Sequence, residues 1–517
     1  MIKKLIEFSA HNRFLVIMLT ALLMLAGIYS LKRIPLDAIP DLSDTQVIIY
    51  SKWDRSPDIM ENQITYPVVS AMLGAPKVKS VRGFSDFGFS YVYVIFEDGT
   101  DLYWARSRVL ENLNRISSQL PQGVKTEIGP DATSVGWVYQ YALRDESNRF
   151  SSADLRSIQD WLIKFQLQSV RGVAEVAPVG GFVKQYQIKV DPTKLGLFQV
   201  SMNQVMDAVK NSNQESGGRT IEFSGTEAMV RSRALVDKVE DIENAVVAFN
   251  PRSRSPVLVR QVATVSVGPE MRRGITDFNG LGDTVGGIIV MRQGDDAPEV
   301  IGRVKEKLKE IQKTLPNGVH ILSVYDRSDL IERAMETLRS TLFEELIIVS
   351  AIILLFLWHI PSAIVPIITI PISVLLAFIP LYWIGQSSNI MSLSGIAISI
   401  GVLVDGAIVE VENAYRKIQL WDEGGRKGDF FNVRLEALKE VGPSVFFSLL
   451  VIAVAFIPIF TLVDQEGRLF RPLALSKNLT MFIAALLAVT FDPAMRMLFA
   501  RADPFNFSNP ILNKFAN

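Results

Sequence analysis

The stretch IGVLVDGAIVEVENAY, residues 400–415, sets a carboxylate, Asp405, inside an aliphatic run. Val402, Leu403, Val404, Ala407 and Ile408 flank it, a composition that suits hydrocarbon rather than water. A charge near the centre of a bilayer costs about 2.5–3.5 kcal/mol on insertion scales, and intramembrane carboxylates usually have a task. A cation nearby favours the charged form and desolvation the neutral one, so a moving partner makes such a group take and give up a proton. Asp405 therefore reads as a proton carrier in preference to a buried cross-link between helices. Glu412 lies seven residues on, two turns away on the same face. It reads either as a second proton-coupling group or as a carboxylate snorkelling to the cytoplasmic end. Glu410 is rotated about 140° from Asp405 and reads as an interfacial charge.

Methionine is the other chemistry-bearing type, because soft thioethers suit Cu(I) and Ag(I). Most of the 15, such as Met18, Met24 and Met481, fall in apolar runs where they fill a core. Met271, beside the charged RRG of GPEMRRGI, and Met391, at the outer mouth of a span, are the candidate metal ligands. His11, His320 and His359 stand far apart, so a histidine zinc site is not expected. With no P-loop or GxGxxG, ATP is not the expected power source, and no catalytic residue or cofactor is assigned. The chain reads as a non-enzyme.

These residues need helices of membrane length to hold them. The run from Phe14 to Leu31 is one, and SLKRIP after it is no cleavage site, so an uncleaved span is expected. Roughly 300 residues later come five more runs, approximately Leu342–Trp358, Ile364–Ile384, Ile390–Val411, Val445–Val463 and Leu479–Phe499. Six spans result, with a large water-facing region between the first and second. Arg416, Lys417, Arg426, Lys427, Arg434 and Lys439 crowd one loop, Lys3 and Lys4 mark the N-terminus, and GQSSN carries no cation. The positive-inside rule then puts both termini in the cytoplasm and the large region outside. Pro366, Pro371 and Pro458 are placed to kink spans, and Gly395, Ala397, Gly401, Gly406 and Ala407 to let helices approach closely.

The water-facing region holds a repeat. YVYVIFEDGTD, an amphipathic stretch, LPQGV and KTEIGPD match GGIIVMRQGDDAPEV, IGRVKEKLKEIQK, LPNGV and HILSVYDRS. Strand, helix and strand twice over suggests two ferredoxin-like α+β subdomains. Residues 182–274 alternate like β-structure and read as an insertion. The expected plan is 1–32 for the N-terminus and first span, 33–134 for the first subdomain, and 135–181 with 275–338 for the second. The insertion occupies 182–274, the remaining spans 339–500 and a cytoplasmic tail 501–517.

Composition agrees with a mixed protein. Of 517 residues, 49% are hydrophobic and 21% charged, too apolar for an ordinary soluble enzyme and too charged for spans alone. The net charge of −1 gives nucleic acid no electrostatic footprint. With no cysteine, thiolate metal sites and disulfides are excluded.

Taken together, GPDATSVGWVYQYAL, GPEMRRGI, YDRSDLI, NIMSLSGIAISIGVLVDGAIVEVENAYRK and IPIFTLVDQEGRLFRPLALSK resemble a heavy-metal efflux pump of the resistance–nodulation–division (RND) superfamily, over essentially the whole chain. The resemblance implies a six-helix membrane bundle with a periplasmic porter of ferredoxin-like subdomains and a docking insertion. It also implies a homotrimeric, proton-driven exporter of metal cations in the bacterial inner membrane, joined to a periplasmic adaptor and an outer-membrane channel. By motif match Asp405 takes the place of the proton-carrying aspartate of the fourth span, and Glu412 that of the glutamate after it. The family's chain is about twice as long, so this one is expected to be an N-terminal half, split from its partner or truncated. The lysine partner of Asp405 and the principal metal ligands would lie in the other half. The copper/silver branch uses membrane methionines, of which Met271 and Met391 match two, while Leu403, Glu410 and Leu486 hold other positions. The cobalt–zinc–cadmium branch has an acid where Ser399 stands here. The balance leans to monovalent copper or silver. The alternative is a half-protein that binds assembly partners without transporting.

Overall fold

The protein is described here from a computed structural model, which covers residues 1–232, 235–250, 254–271, 274–357 and 360–499. Trp358, His359 and the tail 501–517 lie outside the described residues.

The chain opens with α1 (Ile2–His11), whose Ile6 and Ala10 are buried, and turns at Asn12 into α2 (Arg13–Arg33). Twenty-one residues at 1.5 Å each make α2 about 30 Å long, the thickness of a bilayer's hydrocarbon. After it come β1 (Gln46–Lys52), β2 (Val78–Asp86), β3 (Phe89–Phe96) and β4 (Lys125–Ile128), an antiparallel sheet ordered β2-β3-β1-β4. Helix α3 (Leu102–Ile116) crosses from β3 to β4. Asp101 caps it by accepting from the Trp104 amide, and Ala105, Val109, Leu113 and Ile116 form its buried stripe. They pack on Val47, Ile49, Val92, Val94 and Phe96 of the sheet.

The second sheet repeats the plan. β5 (Trp137–Asp145), β6 (Val173–Gly180), β7 (Val285–Met291) and β8 (Val319–Asp326) lie in the order β8-β5-β7-β6, and α4 (Ala297–Gln312) joins β7 to β8. Asp296 caps α4 through the Glu299 amide, as Asp101 caps α3. The helical segments between the first two strands of each sheet share a further detail. Each contains one π turn, Glu61–Thr65 in the first and Gln159–Ile163 in the second. Glycine is required in β7, because a Cβ on Gly286 would lie 2.2 Å from the Tyr141 carbonyl oxygen of β5.

Among the described residues, the insertion between β6 and β7 holds three antiparallel pairs, one of them Lys184–Val190 with Ala263–Pro269. It is not only β-structure. Pro192–Phe198 starts at Asp191, which accepts from two amides, and Met202–Asn211 starts at a Ser201–Gln204 capping box. Two local caps outweigh the β-like alternation around them.

From β8 the chain passes directly into α5 (Arg327–Leu357), then α6 (Ile360–Ile384), α7 (Ile390–Glu423), α8 (Phe430–Ala455), α9 (Asp464–Val489) and α10 (Phe491–Phe499). Among the described residues, α2, α6, α7, α8 and α9 are long and apolar enough to cross a membrane. The run expected from Leu342 forms the C-terminal half of α5. Several expected spans have different limits, and α7 continues past Val411 to Glu423. The α geometry of α8 ends at Ala455, before a 3₁₀ turn at Ile457–Thr461 that contains Pro458. The last run, Leu479–Phe499, is not one helix: it breaks at Thr490. Pro493 has no N–H, and its ring would meet the carbonyl of Val489 four residues back, so the helix stops there and restarts as α10.

Helices α7 and α9 pack closely at Gly395. A Cβ there would lie 2.3 Å from both the Leu473 carbonyl oxygen and Ser476 Oγ. Side chains also tie the bundle to the sheets. Arg327, opening α5, donates from Nη2 to Asp37 Oδ1 at 2.8 Å and from Nη1 to the Val135 carbonyl. Arg468 of α9 donates to the Leu42 carbonyl and Asp44, each at 2.9 Å, and to Asp98.

Candidate transport site

Helix α7 carries the acidic residues singled out in the sequence. Asn389 starts it with a reciprocal cap: its side chain accepts from the Ser392 amide at 3.0 Å, and Ser392 Oγ accepts from the Asn389 amide at 2.9 Å. From this fixed end the helix runs 34 residues, so the direction of each acid follows from its position.

Asp405 and Glu412 are both exposed. They belong to one stripe with Ile398 and Gly401, at helical spacing along a face that α5, α8 and α9 leave uncovered. Among the described residues no ion pair reaches Asp405. The structure therefore places the two proton-coupling candidates on one exposed face, apolar around Asp405 from Ile398 to Val409 and continued one turn beyond Glu412 by Arg416. The other face of α7 is core. Ile396, Ile400, Leu403 and Val404 pack with Met481, Ala484 and Ala485 of α9. Ser399 is fully buried, its hydroxyl donating to the Gly395 carbonyl at 2.9 Å.

Glu410 corrects the sequence reading. It is 4% exposed, not interfacial, because the 140° rotation from Asp405 turns it into the bundle. Its Oε2 lies 3.6 Å from Nη2 of Arg496 on α10, and its Oε1 has no hydrogen-bond partner among the described residues. Arg496 gives its hydrogen bonds to Asp492, one turn earlier, from Nε and from Nη2. Both α10 residues are 3% exposed. The signal was present in FDPAMRML: an acid and a base four residues apart in an apolar run share a helix face. Lys477 of α9 was also missed. It is 1% exposed, with its ammonium over the Phe456 ring.

The candidate metal ligands do not converge on one element. Met271 is 70% exposed in the loop after Ala263–Pro269, and Met391 is half-buried in the first turn of α7. Of the histidines, His11 Nδ1 lies 2.8 Å from the Glu7 carbonyl oxygen, and His320 lies 3.8 Å from Glu146 at the β8 edge. Among the described residues no three His, Asp or Glu side chains cluster as a metal site.

At the N-terminal end of α9, a cavity of about 210 Å³ is bounded by Asp41, Asp98, Asp464, Arg468 and Arg471. Its carboxylates are engaged: Lys79 pairs with Asp464, and the Arg468 guanidinium holds the Asp98 carboxyl below the usual range.

A sheet-rich domain set on apolar helices agrees with what known proteins reveal. The family model for AcrB/AcrD/AcrF matches residues 5–515. The chain belongs to the AcrB/AcrD/AcrF family. It is 49% identical to the cation efflux system protein CusA of Escherichia coli (strain K12), over all of this chain and 50% of that protein. It is 34% identical to the cobalt-zinc-cadmium resistance protein CzcA of Cupriavidus metallidurans, over 96% of this chain and 48% of that one. A crystal structure of a heavy metal efflux pump superposes with a TM-score of 0.83 at 30% identity, covering 95% of this chain and 48% of that pump. The chain spans about half the length of the curated relatives it matches.

Proposed function

We propose that this chain forms the N-terminal half of a proton-driven exporter of heavy-metal cations, with Cu(I) and Ag(I) its preferred cargo. In this reading α2 and α5–α9 are six spans of a bacterial inner membrane, and the two sheets are ferredoxin-like porter subdomains in the periplasm. Residues 182–274 are the docking insertion. The complete pump is a homotrimer working with a periplasmic adaptor and an outer-membrane channel.

The observation that carries the reading is the exposure of Asp405 on a helix of membrane length. A carboxylate facing lipid is costly, so that face is built to be covered by protein carrying a cation. A second half supplies such cover, and the match to only half of each relative supports it. With the cation close, Asp405 is a carboxylate; as the cation withdraws, it takes a proton. Glu412, two turns away on the same stripe, extends the path toward the cytoplasm. Monovalent soft metal is supported by Met271 and Met391, and by Ser399, which leaves no carboxylate on that turn.

The test is metal tolerance of a copper-sensitive strain expressing this chain together with the complementary half. Asp405→Asn should lower copper and silver tolerance to that of the empty vector while the protein stays in the membrane. Unchanged tolerance would refute proton coupling through Asp405. Tolerance to zinc and cobalt alone would overturn the choice of metal.

A further inference from the structure

Among the described residues, the carboxylates buried in the helix bundle are Glu410 and Asp492, not Asp405. Glu410 shares a cavity of about 30 Å³ with Asp492, and that volume has room for a water molecule. Among the described residues the charged groups around it are few. From α10 come Asp492 and Arg496; α6 presents only the hydroxyls of Thr369 and Ser373, and α8 and α9 only Val445, Leu449, Ala484 and Ala488. Two further guanidiniums, Arg434 of α8 and Arg13 of α2, reach α10 but engage the Met497 carbonyl, at 3.0 and 3.5 Å.

The charge count is unequal. One guanidinium meets two carboxyl groups, and it gives its hydrogen bonds to Asp492. Among the described residues Glu410 is left with a 3.6 Å contact to Arg496, the neighbouring Asp492 carboxyl, and an Oε1 that has no hydrogen-bond donor. A buried ion pair is tolerable when its hydrogen bonds are complete, but a second carboxylate buried beside it without a cation of its own is costly. Neither hydroxyl on α6 relieves it, since Thr369 donates to the Val365 carbonyl at 2.9 Å and Ser373 to the Thr369 carbonyl at 2.8 Å.

We infer that Glu410, Asp492 and Arg496 form a second proton-binding site, in which Glu410 carries one exchangeable proton at neutral pH beside the Asp492–Arg496 ion pair. Binding adds one proton to a Glu410 carboxylate oxygen, which becomes a hydroxyl able to donate to a neighbouring oxygen. Release restores the carboxylate and leaves Arg496 shared between two anions. The site lies on the opposite face of α7 from Asp405, so it needs no other chain to complete it. The inference rests on the membrane reading of α6–α9 and not on the export of metal.

The experiment is infrared spectroscopy of the purified full chain in lipid nanodiscs, in water and in D₂O. A carboxylic-acid C=O band sensitive to D₂O should be present at neutral pH and persist in Asp405→Asn, whose side chain is exposed. It should shift when glutamate alone is ¹³C-labelled, and be lost in Glu410→Gln, which keeps size and shape. Absence of the band from the Asp405→Asn chain at neutral pH would overturn the site, and that measurement needs no change in the core. A band that shifts only with labelled aspartate would overturn the assignment to Glu410. Loss of the band on adding sodium chloride would show the cavity takes a cation instead, and would overturn it as well.

Discussion

Asp405 and Glu410 stand five residues apart on α7 and face opposite sides of the helix, the first exposed and the second 4% exposed against Arg496. One helix thus presents an acid to whatever covers the bundle and an acid to the bundle's own core. The two have different energetic roles. Asp405 adds little to the folding of this chain, whereas Glu410 and its partners are part of it.

Asp405→Asn should therefore leave the stability of the isolated chain nearly unchanged. An exposed substitution away from caps and cores shifts stability by about 0.5 kcal/mol or less. Thermal unfolding in detergent, followed by circular dichroism, should give a midpoint within about 1–2 °C of the parent. A large drop would mean that Asp405 is held by this chain after all.

Arg496→Met should behave differently. It leaves Asp492 and Glu410 buried together with no cation, and breaking a buried pair in this way costs about 3–5 kcal/mol. Adding Asp492→Asn and Glu410→Gln should recover most of the loss, since replacing a whole buried ionic cluster is often neutral. If the triple variant is no more stable than Arg496→Met alone, the loss came from packing and not from charge.

The contact at Gly395 is steric. Gly395→Val puts side-chain atoms where the α9 backbone already lies, with the nearest carbonyl oxygen 2.3 Å from the new Cβ. Overpacking of this kind costs about 1–3 kcal/mol. Hydrogen exchange should rise in both α7 and α9, and exchange confined to α7 would contradict a shared interface.

How much of this was legible in the sequence depends on the range of the interaction involved. The repeat was, because LPQGV and LPNGV end helices whose apolar spacing and aspartate caps are local. The pairing of Asp405 with Glu412 was too, since seven residues fix a shared face. Glu410 was not, because the same helical arithmetic gives its direction without saying that α10 waits there. That depends on Pro493 breaking the last run, which sends Arg496 back under α7. The short helices at Pro192 and Met202 had clear caps, but neighbouring alternation masked them. The partner of Asp405 could not be read at all, since no described residue supplies it.

Acid should loosen the second sheet first. Asp145, held by the Ser147 hydroxyl and three backbone amides, is pushed down to about 2, and Asp154, held by Lys184 and the Ser151 cap, also to about 2. Both would titrate near 3.8 when unfolded. Their contribution is therefore complete above pH 3.8 and disappears as pH falls toward 2. Unfolding by urea measured from pH 5 to pH 2 should show stability falling across that window. Asp145→Asn should lower stability at pH 5 and flatten the slope; an unchanged slope would remove Asp145 from the account.

Among the described residues, Arg468 is one of two side chains through which α9 grips the first sheet domain, the other being Asp464, which pairs with Lys79 of β2. Arg468 is 17% exposed, and its fork reaches the Leu42 carbonyl, Asp44 and Asp98, three points on the segments that enter β1 and leave β3. Hydrogen bonds between a charged group and its partners contribute about 1.5–3 kcal/mol, so Arg468→Ala should loosen this joint by about that much. The change should be local: faster exchange at residues 42–45 and 97–100, with the core of the second sheet unaffected. Lysine offers a point charge in place of a planar fork and can reach one of the three acceptors at a time. Arg468→Lys should therefore fall between the parent and alanine in exchange rate. If lysine restored protection fully, the joint would depend on charge alone, and the geometry of the guanidinium would carry no part of the link between α9 and the first sheet.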